Sequence, residues 1–411
     1  MQDLAIIWDW CAFAVRWLHV ITAMAWIGSS FYFIALDLGL RKAPDMPDGV
    51  HGDAWQVHGG GFYHIRKYLV APDQMPKHLT WFKWESYSTW LSGAALLMIV
   101  YWAGAEIYLI DRAKADLSVF QAVVISGASL GVGWVIYDAL CKSPLGGYPT
   151  ALMLLLFGLL VAMAYGYNQV FTGRATLLHL GAFTATIMSA NVFFIIMPNQ
   201  RIVVKDLQAG RTPDAKYGKI AKLRSTHNNY LTLPVVFLML SNHYPLAFGT
   251  EYSWIIASLI FLTGVTIRHY FNTMHATGQG PHWTWAVTVI LMIIIAWLSS
   301  VPGGDTYEEA EARALTPYEQ KFVSAKGFED AYDVVLGNCS MCHAREPSWD
   351  GLRWAPKGVV LETQSDVARY ADKIYMHAGL STAMPPPNAI ATMTAENRGK
   401  IVVWMRNARA D

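Results

Sequence analysis

Charge is what this sequence has least of. Only 15% of its 411 residues are Asp, Glu, Lys or Arg, against 54% hydrophobic. So little charge can hardly cover the surface of a water-soluble protein of this length, which leaves a membrane class. Neither sign dominates: 31 basic residues face 30 acidic ones, so the balance offers no footprint for nucleic acid. Cysteine is scarce too, at four, and two of these belong to one short motif. Cys11 and Cys141, in or beside apolar stretches, are expected to be free thiols. The opening Met1-Gln2-Asp3-Leu4 lacks the basic region and small-residue cleavage site of a secretory signal, so the first apolar helix is expected to direct insertion.

Long apolar runs, in contrast, are plentiful. Stretches able to cross a bilayer lie at 13–38, 86–104, 119–140, 150–167, 177–198, 230–248, 252–270 and 283–301, which predicts an all-α polytopic bundle of about eight transmembrane helices. The segment 39–84 carries Arg41, Lys42, Arg66, Lys67, Lys77 and Lys83, and the segment 199–229 carries Arg201, Lys205, Arg211, Lys216, Lys219, Lys222 and Arg224. Both are expected on the cytoplasmic side, which places both termini outside. Val301-Pro302-Gly303-Gly304 breaks the apolar pattern. The chain therefore divides into a transmembrane domain at 1–302, a linker at 303–324, and a small helical domain at 325–411 with helical patterns near 328–335, 365–377 and 395–407.

A weak internal repeat runs through the bundle. Arg16-Trp17-Leu18-His19-Val20 opens the first helix and Thr176-Leu177-Leu178-His179-Leu180 the fifth, with Ser29 and Phe33 matching Ser189 and Phe193. Trp90-Leu91-Ser92 resembles Tyr230-Leu231-Thr232, and Gly131 with Tyr137 resembles Gly264 with Tyr270. Two four-helix halves with the same in-out sense are expected, a candidate 4+4 repeat.

Cys339-Ser340-Met341-Cys342-His343 is the strongest chemical signal. Two thiols three residues apart, followed at once by an imidazole, suit covalent attachment of a c-type heme with His343 as an iron ligand. A zinc half-site would need a second Cys or His pair, and none follows at suitable spacing. The sixth ligand is expected from Met384 in Ala383-Met384-Pro385-Pro386-Pro387, where proline fixes the loop. His19 and His179, at matching repeat positions and similar depth, are candidates to clamp a b-type heme; the alternative is that both bond to neighbouring helices. His243 is a third candidate at that depth.

Three segments bring polar groups to the cytoplasmic end: Trp84-Glu85, Arg224-Ser225-Thr226-His227-Asn228-Asn229-Tyr230, and Arg268-His269-Tyr270. Together they hold what a planar, anionic, hydrogen-bonding substrate requires: a guanidinium, amides, an aromatic wall and a titratable base. The competing reading is a solvated basic loop with helix caps. Pro234 is expected to kink the sixth helix near Tyr230. His51, His58, His64 and His78, interleaved with Gly59-Gly60-Gly61, fit no closed metal site and are read as loop structure.

The run His58-Gly59-Gly60-Gly61-Phe62-Tyr63-His64, continuing through Lys67-Tyr68-Leu69-Val70-Ala71-Pro72 to Trp81-Phe82-Lys83-Trp84-Glu85, resembles the membrane-bound urate oxidase family with a fused cytochrome c. Arg16-Trp17-Leu18-His19, Ala25-Trp26-Ile27-Gly28 and Thr226-His227-Asn228-Asn229-Tyr230 fit the same pattern. The first-helix motif alone is also similar to heme-handling proteins of the protoporphyrinogen oxidase and copper-resistance types. The resemblance implies oxidation of urate to 5-hydroxyisourate in purine breakdown. Electrons would pass through heme to a respiratory acceptor, such as a soluble cytochrome c or a terminal oxidase, without direct peroxide formation. It implies the bacterial inner membrane, with the cytochrome domain periplasmic. In that setting His227 or Glu85 would remove a proton, Arg224 or Arg268 hold the anion, and Asn228 or Asn229 orient the ring. An electron conduit, such as a quinol-cytochrome c reductase or an oxidase subunit, is the alternative.

Overall fold

A computed structural model describes residues 4–44, 46–47, 49–68, 76–112, 114–300, 315–349, 352, 355–386, 389 and 392–410. Residues 69–72 of the resemblance motif, residues 303–314 of the expected linker, and Pro387 lie outside these. The first helix, α1 (Leu4–Gly39), is followed by a β-hairpin, β1 (Val50–His58) and β2 (Gly61–Tyr68), where no regular element was expected. Its two-residue turn, Gly59-Gly60, has both φ angles positive, at 59° and 81°. Glycine adopts that geometry without steric cost, and it matches the twist of the paired strands.

Next come α2 (Trp84–Leu96), extended by a π-helical turn at Leu97–Trp102 into α3 (Ala105–Tyr108); α4 (Val119–Lys142); and α5 (Pro149–Val170). Then α6 (Gly173–Ala190) passes through a second π-helical turn, Asn191–Ile196, into α7 (Met197–Gln208), followed by α8 (Ala215–Leu240), α9 (Ser253–Thr277) and α10 (Trp283–Ser300). Side chains set several starts: Ser118 and Gln121 form a capping box on α4, Thr172 caps α6, and Asp214 caps α8.

Among the described residues, six helices are long and apolar enough to cross a membrane: α1, α4, α5, α6 with α7, α9 and α10. The chain is therefore built as a multi-pass membrane protein. Of two other expected spans, α2 falls short on length, its 13 residues ending at the π-helical turn, and α8 on apolarity. Ser86, Thr89 and Ser92 are buried on α2, and Arg224, His227, Asn228, Asn229 and Thr232 on α8. The sixth element also runs from 215 to 240 rather than 230 to 248, and His243 closes a 3-10 turn after it. Pro234 sits inside an unbroken α8, and its ring packs where α9 carries Gly264. A Cβ there would fall 2.4 Å from the Pro234 Cδ, so the two helices approach closely because one residue has no side chain.

Helix α1 packs on α2, α8 and α9, while α6 packs on α8, α2 and α4. Exchanging α1 with α6, α2 with α8 and α4 with α9 converts each contact of the first set into one of the second. The outer helices depart from this pattern: α5 packs on α6 and α9, and α10 on α9.

The C-terminal module comprises α11 (Pro317–Val323), α12 (Phe328–His343), α13 (Gln364–Arg369), α14 (Ala371–Ile374) and α15 (Ala395–Ala410). Phe322, Phe328, Val335, Tyr375 and Trp404 share its core, and the Trp404 indole donates to the Phe322 carbonyl at 2.9 Å. Helix α11, which falls in the expected linker, thus packs as part of the module. The module caps one end of the bundle: Lys373 stands 5.6 Å from the Tyr108 ring, and Gly358 abuts Pro245. The β-hairpin lies at the other end.

Candidate functional site

Near the hairpin end, polar side chains from three helices meet in a region closed to solvent. The Arg224 guanidinium on α8 is 2% exposed and donates to Asp138 Oδ1 on α4 at 2.6 Å and to Asn191 Oδ1 at 3.3 Å. Asn191 donates from Nδ2 to the Tyr137 hydroxyl at 3.0 Å and to Asn228 Oδ1 at 2.9 Å; Asn228 in turn donates to the Met188 carbonyl at 3.0 Å. The Tyr137 hydroxyl sits 2.8 Å from His227 Nδ1. A guanidinium withdrawn from water is tolerable only because carboxylate, amide and two aromatic faces replace its hydration: Tyr137 lies 4.9 Å away and Trp134 5.9 Å. Asn191 opens the π-helical turn, and such turns often re-aim side chains at functional positions.

One atom of this network has nothing to bond. His227 Nε2 is buried with no partner among the described residues, although Nδ1 is held by Tyr137. The tautomer that Tyr137 selects decides whether Nε2 offers a proton or a lone pair. On the next face of α8, Asn229 Oδ1 accepts from Arg268 Nε at 2.5 Å, and Arg268 lies 4.2 Å from the Phe31 ring of α1. Arg268 Nη2 is again buried and unpartnered, as is Glu85 Oε2 on α2. Buried polar atoms without partners are expensive, about 1–3 kcal/mol each and more when charged. Seven side-chain atoms are of this kind among the described residues, and three of them, on Glu85, His227 and Arg268, fall on the segments named from the sequence.

A cavity of about 390 Å³ opens between α1, α6, α7 and α8. Its wall combines Trp26, Phe33 and Trp81 with Ser29, Ser225 and Asn228, an apolar surface carrying a few placed hydrogen-bonding groups, as small-molecule sites do. Asn228 belongs to both the wall and the buried network, so it connects the two. Arg224, His227 and Asn228 are thus brought together, Asn229 and Arg268 form a neighbouring pair, and Glu85 stands apart on α2, next to Ser86. Tyr137, Asp138 and Asn191 were not singled out for a site. Asp138 and Asn191 are polar groups within apolar runs, and that was the available signal.

The motif cysteines lie on the last turn of α12. Cys339 and Cys342 are free thiols, and Cys339 is buried in the module core. Next to them, His343 Nδ1 lies 2.8 Å from the Val359 carbonyl. An N–H donated there leaves the Nε2 lone pair for a metal, with the ring orientation fixed by its second nitrogen. Arg398 Nη1 donates to the carbonyls of Ala378, Ser381 and Met384 at 2.6, 2.9 and 2.9 Å, which ties down the loop carrying Met384. Two thiols beside an imidazole oriented in this way are a donor set compatible with a c-type heme.

His19 and His179 do not fit a heme in the same way. His179 is fully buried with both nitrogens engaged: Nδ1 lies 2.8 Å from its own helix's Ala175 carbonyl and Nε2 2.8 Å from Ser126 Oγ on α4. Tyr101, Tyr167 and Phe171 close around its ring at 4.8–5.7 Å. His19 Nδ1 bonds the Thr89 carbonyl and Ser92 Oγ on α2, where a Cβ on Gly93 would meet the imidazole at 2.9 Å. Each imidazole joins its own pair of helices, and the expected b-type clamp has no vacant nitrogen on His179. Of the loop histidines, His64 pairs with Asp53 at 2.6 Å on the hairpin; no group of three metal-binding side chains occurs among the described residues.

Fold and site together describe a helical protein built like a multi-pass membrane protein, with a half-open cavity that touches, through Asn228, a buried polar network holding Arg224. A family model described as urate oxidase N-terminal matches residues 5–299, and the chain belongs to that family. The match ends ahead of the C-terminal module. No curated protein and no solved structure matches the chain.

Proposed function

We propose that this protein is a membrane-bound urate oxidase linked to a cytochrome c carried on the same chain. Eight helices, with α2 and α8 counted alongside the six apolar ones, would cross a bacterial inner membrane in two related halves. The hairpin end would be cytoplasmic, and the C-terminal module periplasmic with both termini. What supports the reading is one conjunction: a urate oxidase N-terminal region fused to a module whose His343 already has Nδ1 committed to Val359.

Urate reacting with water gives 5-hydroxyisourate, two protons and two electrons. Cys339, Cys342 and His343 would hold a c-type heme, which would supply one-electron acceptance, so that the two electrons would leave in two transfers. This chain's residues supply the rest. Arg268, with Nη2 free, binds the urate anion, and its guanidinium geometry favours two parallel hydrogen bonds. Asn228 orients the ring against the aromatic wall. His227 Nε2, steadied through Tyr137, takes a proton as charge leaves the purine, and Arg224 holds α4 and α8 together around it. Glu85 is the second candidate base. The route of electrons from this pocket to the module passes through no heme at His19 and His179.

The test is to express the chain in membranes and add urate with oxidised soluble cytochrome c under air. Urate-dependent cytochrome reduction, formation of 5-hydroxyisourate and no peroxide are expected. Reduction by quinol but not by urate would favour an electron conduit instead.

A further inference from the structure

We propose that the β-hairpin is an interfacial anchor whose tip is inserted into the bilayer surface at its own end of the bundle. The surface level can be located from the helices. At 18 residues, α10 is about 27 Å long, close to the hydrocarbon thickness, so Trp283 at its start marks one boundary. His269 packs 6.2 Å from Trp283 and Tyr270 5.4 Å from Trp285. Beside them, Arg268 packs on Phe31, and Phe33 packs 4.7 Å from Phe82. This ring of aromatics is where a membrane interface places them. Helix α1 continues past it to Gly39, a further ~9 Å at 1.5 Å per residue.

The hairpin then runs back along that projecting stretch toward the ring. Arg41 and Asp53 exchange backbone hydrogen bonds at 3.0 Å, Lys67 pairs with Asp37, and the Tyr32 hydroxyl donates to Gln56 at 2.6 Å. Gln56 therefore stands level with Tyr32, at the boundary, and the turn beyond it reaches deeper. Register fixes which side chains look outward. Ala54 and Gln56 turn toward α1, so the pairs Asp53 with Arg66, Trp55 with His64 and Val57 with Phe62 occupy the opposite face. Along that face polarity falls with distance from water. The charged pair is at the base, Trp55 stands at the boundary stacked 4.2 Å from the His64 ring, and Val57 and Phe62 are at the tip; Trp55, Val57 and Phe62 are 67%, 69% and 76% exposed. An apolar patch of this kind needs a cover, and its height and grading fit the boundary between headgroups and acyl chains.

The full chain, reconstituted in nanodiscs, tests this. Tryptophan emission is compared between the wild type and Trp55→Phe, with lipids brominated near the headgroup and with aqueous iodide. The Trp55-dependent difference should be lost in brominated lipid and persist in iodide. Phe62→Trp added to Trp55→Phe should restore a lipid-quenched signal. Quenching of both signals by iodide alone would place the tip in water, and quenching by neither would place it against protein; either result overturns the proposal.

Discussion

His343 Nδ1 lies 2.8 Å from the Val359 carbonyl, a residue sixteen positions further along the chain. That contact presets an imidazole beside two free thiols. It predicts that His343→Ala abolishes the low-spin c-type spectrum, whereas Met384→Ala retains covalent heme but loses the thioether ligand and lowers the midpoint potential. Pyridine hemochrome spectra and a redox titration would show both effects. Arg398→Gln, which frees three carbonyls of the Met384 loop, should weaken methionine ligation without detaching the heme.

Asp138 has two cationic partners, Arg224 at 2.6 Å and the more exposed Lys142, also at 2.6 Å. The two ends of the Arg224–Asp138 pair are therefore unequal. Asp138→Asn strands a nearly inaccessible guanidinium and should destabilise the bundle by about 3–5 kcal/mol. Arg224→Met leaves Asp138 paired with Lys142 and should cost less. Thermal unfolding of the detergent-solubilised protein would rank the two variants.

In the proposed pocket, Arg268 and His227 should separate kinetically. Arg268→Ala removes a charge-assisted hydrogen bond worth about 1.5–3 kcal/mol, so KM for urate should rise roughly 10- to 100-fold. His227→Gln should instead lower kcat by roughly 10²- to 10⁴-fold, the usual scale of general-base loss. Unchanged urate turnover in both single variants would remove these residues from the site.

His179 has no free nitrogen and His19 is packed onto α2. His19→Ala and His179→Ala should therefore leave the heme content of the purified protein unchanged, as acid-acetone extraction beside a pyridine hemochrome spectrum would show. Ser126→Ala should destabilise the α4–α6 contact by removing the partner of His179 Nε2, without changing heme content.

Much of this architecture was legible as apolar runs, because lipid-facing helices such as α4, α5 and α10 must be apolar along most of their length. Helices α2 and α8 were harder to bound, since their polar residues face neighbouring helices instead of lipid: those of α2 meet α1 and α6, and those of α8 meet α4, Asn191 and α9. A hydropathy window thus registers Arg224 to Asn229 as a loop edge. The hairpin escaped notice because its glycines and histidines read as irregular chain, and its alternation emerges only once the pairing of Trp55 with His64 sets the register. The short α11 was hidden by its neighbourhood, although its Thr316 and Glu319 capping box is a local signal. Single residues such as His227 stand out as titratable groups in a polar segment at the end of an apolar run. Their partners Tyr137 and Asn191 come from other helices, and only the tertiary fold brings them together.

The most direct measurement is anaerobic: urate is mixed with the purified oxidised protein while the c-heme absorbance is followed. The account predicts reduction of the heme at a stoichiometry of two hemes per urate, with 5-hydroxyisourate formed. A heme that stays oxidised in the presence of urate, or a protein that carries no covalent heme at all, would contradict it.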